Sequence, residues 1–487
     1  MDSNDLSRMK IQRVPRSLLT LLALLLGLTM AVSLVNAGKS GQWGATELQL
    51  QNVDFLPRPV TTTFYSSFGA PTLVVTGSLI GGNSGFFFPQ LPPQFTGTVS
   101  IDSPGQVLGV VTHLGDNPPG AAQWSLIDDT VLSNTAYVPH FSAPQTSGPA
   151  SRLTIHNLEP LASTAWITFY DSSGIVMLTR TAQIPKSGAL FLDRAGLNLP
   201  GPIQASAIIR ADRRIYASID RIYNQAFSSA HAPAQGGFEI AAPMFFAQYN
   251  GLDSVLSVQN VSPVTATGVL SYYEGISGAL LVTQPFTLAS CAALLWTPVP
   301  TISNSYGHVV ATADKPIAGL VLGETLPSPG SPGLWDYTAV VVDPEKPDTL
   351  DRRTAYGPAI FSRYIGWNSQ VFAANLSEKA VSLTIDYSSA PADLMTTTNM
   401  IVPPHGLAVF FDTPNLPREF EHASLRVSSD QLIAATIWSS NISAPDGYMA
   451  YEAQYASPVS ENRAYLPLIM RIDTTPLKKQ VLEPRSH

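Results

Sequence analysis

Apolar and polar residues alternate along this chain in short runs with a period of two, and helical periodicity is nearly absent beyond residue 35. One layout recurs four times. An apolar run ends in Asn, a short loop follows, and a second alternating run ends in aromatics. The copies cover 48–65, 153–170, 256–273 and 371–388, with the Asn at 52, 157, 260 and 375. These Asn stand 105, 103 and 115 residues apart, and an aromatic residue always follows 12 positions later: Phe64, Phe169, Tyr272, Tyr387. In the second run the even offsets from Asn are mostly apolar, as in Ala165, Ile167 and Phe169. They are expected to face a core and the odd offsets to face away, because side chains on a strand alternate between its two faces.

Two further landmarks keep the same register. Asp212, Asp314 and Asp430 follow their Asn by 55, 54 and 55 residues, each between two apolar β-rich runs. That arrangement predicts a hairpin with Asp at its tip. The first copy has Ser103, Pro104 and Gly105 there instead. A Pro-containing run recurs at Pro139, Pro243, Pro358 and Pro467. The first three precede the next Asn by 18, 17 and 17 residues, Asn52 has no such run before it, and Pro467 has no repeat after it. Two readings follow. If the Pro run opens each sandwich, the first repeat lacks a strand and would accept residues Tyr465, Leu466, Pro467, Leu468 and Ile469 from another molecule by strand addition. If it closes the preceding sandwich, the same residues complete the fourth repeat within one chain.

Many short strands, Gly/Pro turns and units of about 100 residues predict an all-β fold of four tandem β-sandwiches. The units are placed at 38–135, 136–240, 241–355 and 356–470. The third carries a Pro/Gly-rich insert at about 323–353, and the fourth a closing strand at 464–470. Residues 471–487 are polar and read as a loose tail. The Cys–Trp–Cys pattern of antibody domains is missing, so the units are Ig-like in architecture alone. The layout resembles that of secreted bacterial surface proteins built from repeated β-sandwich modules. The resemblance implies a surface or extracellular role and carries over no catalytic residue.

The N-terminus fits that address. Arg8, Lys10, Arg13 and Arg16 precede an apolar run over 17–35, and Ala37 supplies a small residue for cleavage. Residues 1–37 therefore read as a secretory signal. The alternative is an uncleaved anchor, since about 19 apolar residues can span a bilayer; membrane contact is expected only through that segment. The chain has 487 residues, of which 45% are hydrophobic and 13% charged, so it is not disordered overall. Its net charge of −8 argues against nucleic acid as a partner. One cysteine, Cys291, excludes a disulfide framework, and in its apolar setting it reads as a small buried residue.

Motifs for nucleophile elbows, zinc helices, phosphate loops and calcium loops are missing, and the eight His are scattered without metal-pair spacing. No catalytic, cofactor or metal residue is assigned, and no enzyme activity is expected. The four repeated Asn read as turn formers, although Asn260, Asn375 and Asn441 also match the glycosylation acceptor pattern. The outer face of the second strands carries the candidate ligand or interface residues Tyr65, Trp166, Tyr170 and Tyr273. Exposed aromatics stack on sugars or anchor protein interfaces; alternatively, a neighbouring repeat covers them. The leading reading is a secreted, non-enzymatic surface protein that spaces, coats or assembles, with self-association or other surface proteins as partners. A polysaccharide-binding adhesin is the second reading, and a secreted enzyme with a site between repeats the third.

Overall fold

A computed structural model describes residues 45–469 except 88–94, 117–118, 126, 129–131, 145–147, 200, 225, 299–300, 326–332, 345–349, 365, 390–393, 411–415, 417–421, 442–445 and 457–461. The expected signal (1–37) and polar tail (471–487) lie outside the described residues. The described residues are all-β apart from one four-residue helix.

Unit one holds β1 (Ala45–Asn52), β2 (Arg58–Ser66), β3 (Pro71–Leu79), β4 (Ser84–Phe87), β5 (Thr96–Ser103), β6 (Val107–Asp116), β7 (Pro119–Ser125) and β8 (Ile127–Asp128). Unit two holds β9 (Ser133–Ala143), β10 (Ala150–Asn157), β11 (Ser163–Tyr170), β12 (Val176–Ile184), β13 (Ala189–Leu192), α1 (Arg194–Leu197), β14 (Ile203–Tyr223) and β15 (Ala226–His231). Unit three holds β16 (Gly237–Ala247), β17 (Leu252–Asn260), β18 (Ala266–Glu274), β19 (Leu280–Leu288), β20 (Ala293–Trp296), β21 (Ser305–Thr325), β22 (Leu334–Thr338) and β23 (Val340–Pro344). Unit four holds β24 (Thr354–Tyr364), β25 (Trp367–Asn375), β26 (Val381–Ser389), β27 (Leu394–Val402), β28 (Leu407–Phe410), β29 (His422–Ser428), β30 (Ile433–Ser440), β31 (Tyr448–Glu452) and β32 (Gln454–Tyr455); β33 (Asn462–Ile469) follows.

Each unit has two sheets. The axial sheets run β4-β1-β6-β7, β13-β10-β14-β15, β20-β17-β21-β22 and β28-β25-β30-β31. The outer sheets run β3-β2-β5-β33-β8, β12-β11-β14-β9, β19-β18-β21-β16-β23 and β27-β26-β29-β24-β32. The even offsets of the second strands do fill the cores: Ala165, Ile167 and Phe169 are fully buried, and Phe169 meets Phe141 edge to face at 5.1 Å. Burying Ile167 or Phe169 contributes about 1.5–3 kcal/mol each.

The Asp landmarks mark corners rather than hairpin tips. In units two and three a single 21-residue strand passes through Asp212 or Asp314. Its first half pairs in the outer sheet, with β11 and β9 or with β18 and β16, and its second half pairs in the axial sheet. The two arms never pair with each other, because a strand that bends between layers serves both sheets. Asp212 Oδ1 accepts from Ser163 Oγ at 2.7 Å and Thr164 N at 2.9 Å, tying the corner to β11. The Ser163 hydroxyl bond holds this carboxyl below its ordinary range.

The Pro runs open the outer sheets of units two, three and four as β9, β16 and β24. The strand over 464–470 does not complete unit four. β33 lies between β5 and β8 of unit one, in the same chain, with Asn462 opposite Ser103 and Ile469 opposite Thr96. Strand pairing favours this seat, since β5 would otherwise be left with an open edge. The stretch read as an insert, 323–353, also needs correction. It carries β22 and β23, which pair with β21 and β16 as integral strands of unit three.

Adjacent units contact one another in order, and unit four returns to unit one. Ala189 N donates to Ser67 O at 3.0 Å, Ser206 Oγ to Cys291 O at 3.0 Å and Leu407 N to Gly275 O at 2.7 Å. Gln49 Nε2 donates to Ala423 O at 3.0 Å across the last junction. The four units thus form a closed ring. At three junctions a left-handed residue of the later unit sits in the docking turn: Ser187 (φ 50°), Cys291 (φ 64°) and His405 (φ 51°). Gly82 (φ 76°) holds the matching place at the fourth, beside Asn83, which bonds Ser388.

Candidate functional site at the ring axis and the closing strand

The repeated Asn are structural. Each is fully buried. Asn260 Nδ2 donates to Val264 O, Leu288 O and Ala289 O at 2.7–3.0 Å, and its Oδ1 accepts from Ser262 N at 2.9 Å. Asn157 and Asn375 repeat this set, and Asn52 makes the same turn with two carbonyls. The side chain closes its own loop and pins the end of the third strand. In the folded ring Asn260 and Asn375 are therefore closed to glycosylation.

The four candidate aromatics do not come together. Trp166 is 43% exposed on the outer face of β11, with exposed Thr181 and Arg210 as its cross-strand neighbours. Tyr65, Tyr170 and Tyr273 are half-buried at equivalent strand ends, each beside a junction. Tyr273 stacks on His308 at 5.0 Å and on His405 of the next unit at 4.6 Å. Burial raises the Tyr170 phenol, and Cys291 of the next unit raises it further. Of the strand residues Tyr465, Leu466, Pro467, Leu468 and Ile469, the backbone pairing is described: Leu466 lies opposite Val99 and Pro467 opposite Thr98.

No motif or spacing points to the polar cluster on the ring axis. β7 packs on β15, β15 on β22, β22 on β31, and β31 on β7. Ahead of β31, Asp446 is fully buried and reaches all three other units. Its Oδ2 accepts from Ala121 N at 3.0 Å and Phe227 N at 2.8 Å, and its Oδ1 from Leu334 N at 3.3 Å. Burial pushes this carboxyl up to about 8, against those three N–H bonds. Ser228 Oγ donates to Asp336 Oδ2 at 2.5 Å, and Arg221 lies 3.4 Å from the same oxygen. Burial raises the Asp336 carboxyl despite Arg221. Further along the axis His231 Nδ1 meets Glu452 Oε1 at 2.7 Å, and Thr338 Oγ1 donates to His231 O at 2.6 Å. In sequence Asp446 stands just before a Gly and reads as an ordinary turn residue; only the fold gathers the four strand ends around it.

These axial groups are engaged across units. Among the described residues, no three His, Cys, Asp or Glu stand together as metal ligands, and no helix is long and apolar enough to cross a membrane. An open cleft of about 520 Å³ in unit two is lined in part by Arg152, Asp193, Arg194 and Asn198. Arg152 is held there by Asp220 at 2.8 Å, and Arg194 donates to Pro144 O at 2.8 Å.

Across the junction between units one and two, the packing is less complete. β10 and β14 turn Leu153, Ile155, Ala217 and Ile219 into the core of unit two. Their alternate residues Thr154, His156, Tyr216 and Ser218 face the other way, and β14 also packs against β33 of the first unit. All four are buried, and Thr154 Oγ1, both His156 ring nitrogens, Tyr216 Oη and Ser218 Oγ have no hydrogen-bond partner. Such groups cost about 1–3 kcal/mol each. At the equivalent positions elsewhere most side chains are bonded or apolar, although Gln51 Oε1, Gln259 Oε1 and Thr436 Oγ1 are also left without a partner. Ser257 donates to Pro139 O and Gln259 to Ala207 O; Gln49 and Gln51 donate to Ala423 O and Leu425 O; unit four has Phe372 and Ala374.

No family model matches the chain, and no curated protein matches it. One solved structure, the tetra-tandem repeat in the extending region of a large adhesion protein, aligns over 86% of this chain and 97% of its own. The identity is 11% and the TM-score 0.12, too slight a likeness to carry an argument about this ring.

Proposed function

We propose that this chain is a secreted, non-enzymatic structural protein of the cell surface, a ring of four β-sandwiches locked by its own last strand. The observation that carries this reading is the seat of β33 in unit one, which ties the last described strand back to the first unit without a disulfide. The engagement of Asp446, Asp336 and Glu452 between units supports it, because polar side chains that could do chemistry serve as cross-ties instead. Localisation outside the cell rests on the sequence of residues 1–37. The test is surface labelling of cells producing the tagged full chain, together with scanning the purified protein for hydrolysis of polysaccharide and peptide substrates. Surface-exposed, catalytically silent protein is the expected result; turnover abolished by a single axial substitution that leaves the fold intact would overturn it.

A second reading, an adhesin that binds polysaccharide, is favoured by the exposure of Trp166 beside Arg210. An exposed indole offers an apolar face to a sugar ring. On that reading Trp166→Ala lowers retention on cell-wall polysaccharide at least tenfold and leaves thermal stability unchanged. Equal retention of the two proteins would remove it.

A further inference from the structure

We propose that β33 exchanges between copies of this chain, so that the seat between β5 and β8 of one ring takes the C-terminal strand of a second copy and links copies head to tail. The inference rests on the ring reading and names its partner, a second copy.

Three observations carry it. First, among the described strands, β33 is the one outer-sheet strand not joined directly to an axial strand of its own unit. β9, β16 and β24 lead by short loops into β10, β17 and β25, whereas β33 and β1 stand at opposite ends of the described chain. β33 is reached instead from β32 of unit four, across residues 456–461. Second, exchange of β33 alone keeps the strand pairing. β33 would make the same eight-residue register with β5 of the other copy, while the Gln49–Ala423 and Gln51–Leu425 bonds and the Asp446 cluster stay within each copy. An interface that closes within one molecule and can also join two is the condition for domain swapping. Third, the seam is poorly satisfied. Thr154, His156, Tyr216 and Ser218 are buried without partners on β10 and β14, and β14 packs on β33; unit three has Ser257 and Gln259 in place of Thr154 and His156, each donating one bond. Unpaired polar groups weaken the packing of that junction. High local concentration favours closure in one molecule, so exchange is expected to grow with protein concentration.

The test uses the full chain with Cys291→Ser, since Ser stands at the equivalent position 187. Asp102 and Arg463 are opposite each other in the backbone register of β5 and β33. With both changed to Cys in one chain, oxidation is expected to give an internally bridged monomer. Failure of that bridge would sink the ring reading itself, and this inference with it. Asp102→Cys and Arg463→Cys are then placed in separate, differently tagged copies, which are concentrated together or refolded together from urea. A disulfide-linked dimer carrying both tags is expected, rising with concentration and reduced several-fold by His156→Gln, which supplies the amide that unit three uses. If the double variant bridges internally but the separated cysteines never join two copies, the strand does not exchange and the inference fails. If His156→Gln leaves the dimer yield unchanged, the seam is not its cause.

Discussion

At the residue scale, the buried polar side chains set the stability of the units. Asn260→Ala removes three bonds to carbonyls and one from Ser262 N, inside a fully buried turn. A loss of about 2–4 kcal/mol is expected, from the penalty of leaving buried partners unpaired; a shift of the urea midpoint checks it. Asp446 gives a pH signature. Its folded carboxyl is raised to about 8 from an ordinary 3.8, so the folded state holds a proton that the unfolded chain releases. Its contribution is therefore lost as pH rises from about 4 to about 8. The His residues act at the other end. Burial pushes His156 and His308 down to about 3, so the unfolded chain binds protons that the folded ring refuses, and stability falls as pH drops below about 6.5. Urea titrations across pH 4–8 are expected to show wild type losing stability relative to Asp446→Asn as pH rises. Parallel curves would refute the assignment.

At the scale of the element, the alternating second strands and their Asn caps were legible, because a period of two and a turn residue at a fixed offset are local signals. Ala165, Ile167 and Phe169 point inward as their spacing requires. Asp212 lies inside one long strand, between the arm in the outer sheet and the arm in the axial sheet, and an Asp between two apolar runs looks the same whether the arms pair as a hairpin or part company at a corner. The short axial strands β15, β22 and β31 carry no common pattern, and Asp446 shows its use only where four strand ends meet. The partner of β33 was equally hidden, since Leu466 pairs with Val99, far away in sequence. A chain ending at Ala456 leaves the β5 edge open. It is expected to lose hydrogen-exchange protection over 96–103 while β25 and β30 keep theirs, and to sediment as larger species. Unchanged protection of β5 would contradict the pairing.

At the scale of the molecule, ring closure couples the four units through single groups. Asp446→Ala strands three backbone N–H groups belonging to three different units, at about 1–3 kcal/mol each. One cooperative transition is expected for wild type, and a lower, broader one for the variant, by calorimetry. A permuted chain that joins residue 469 to residue 45 by a short loop, with new ends in 129–132, is expected to keep the fold and unfold at higher temperature, because it ties the last open junction covalently.

The seat of β33 also sets a timetable. Unit one is the first to leave the ribosome or cross a membrane, yet its outer sheet is finished by the strand that emerges after all four units. Until then β5 waits with an unpaired edge, and the ring stays ajar. A polypeptide interrupted anywhere before residue 462 would lack the latch and keep that edge unpaired. The first unit is thus completed only by the strand made after the other three, and by backbone pairing alone.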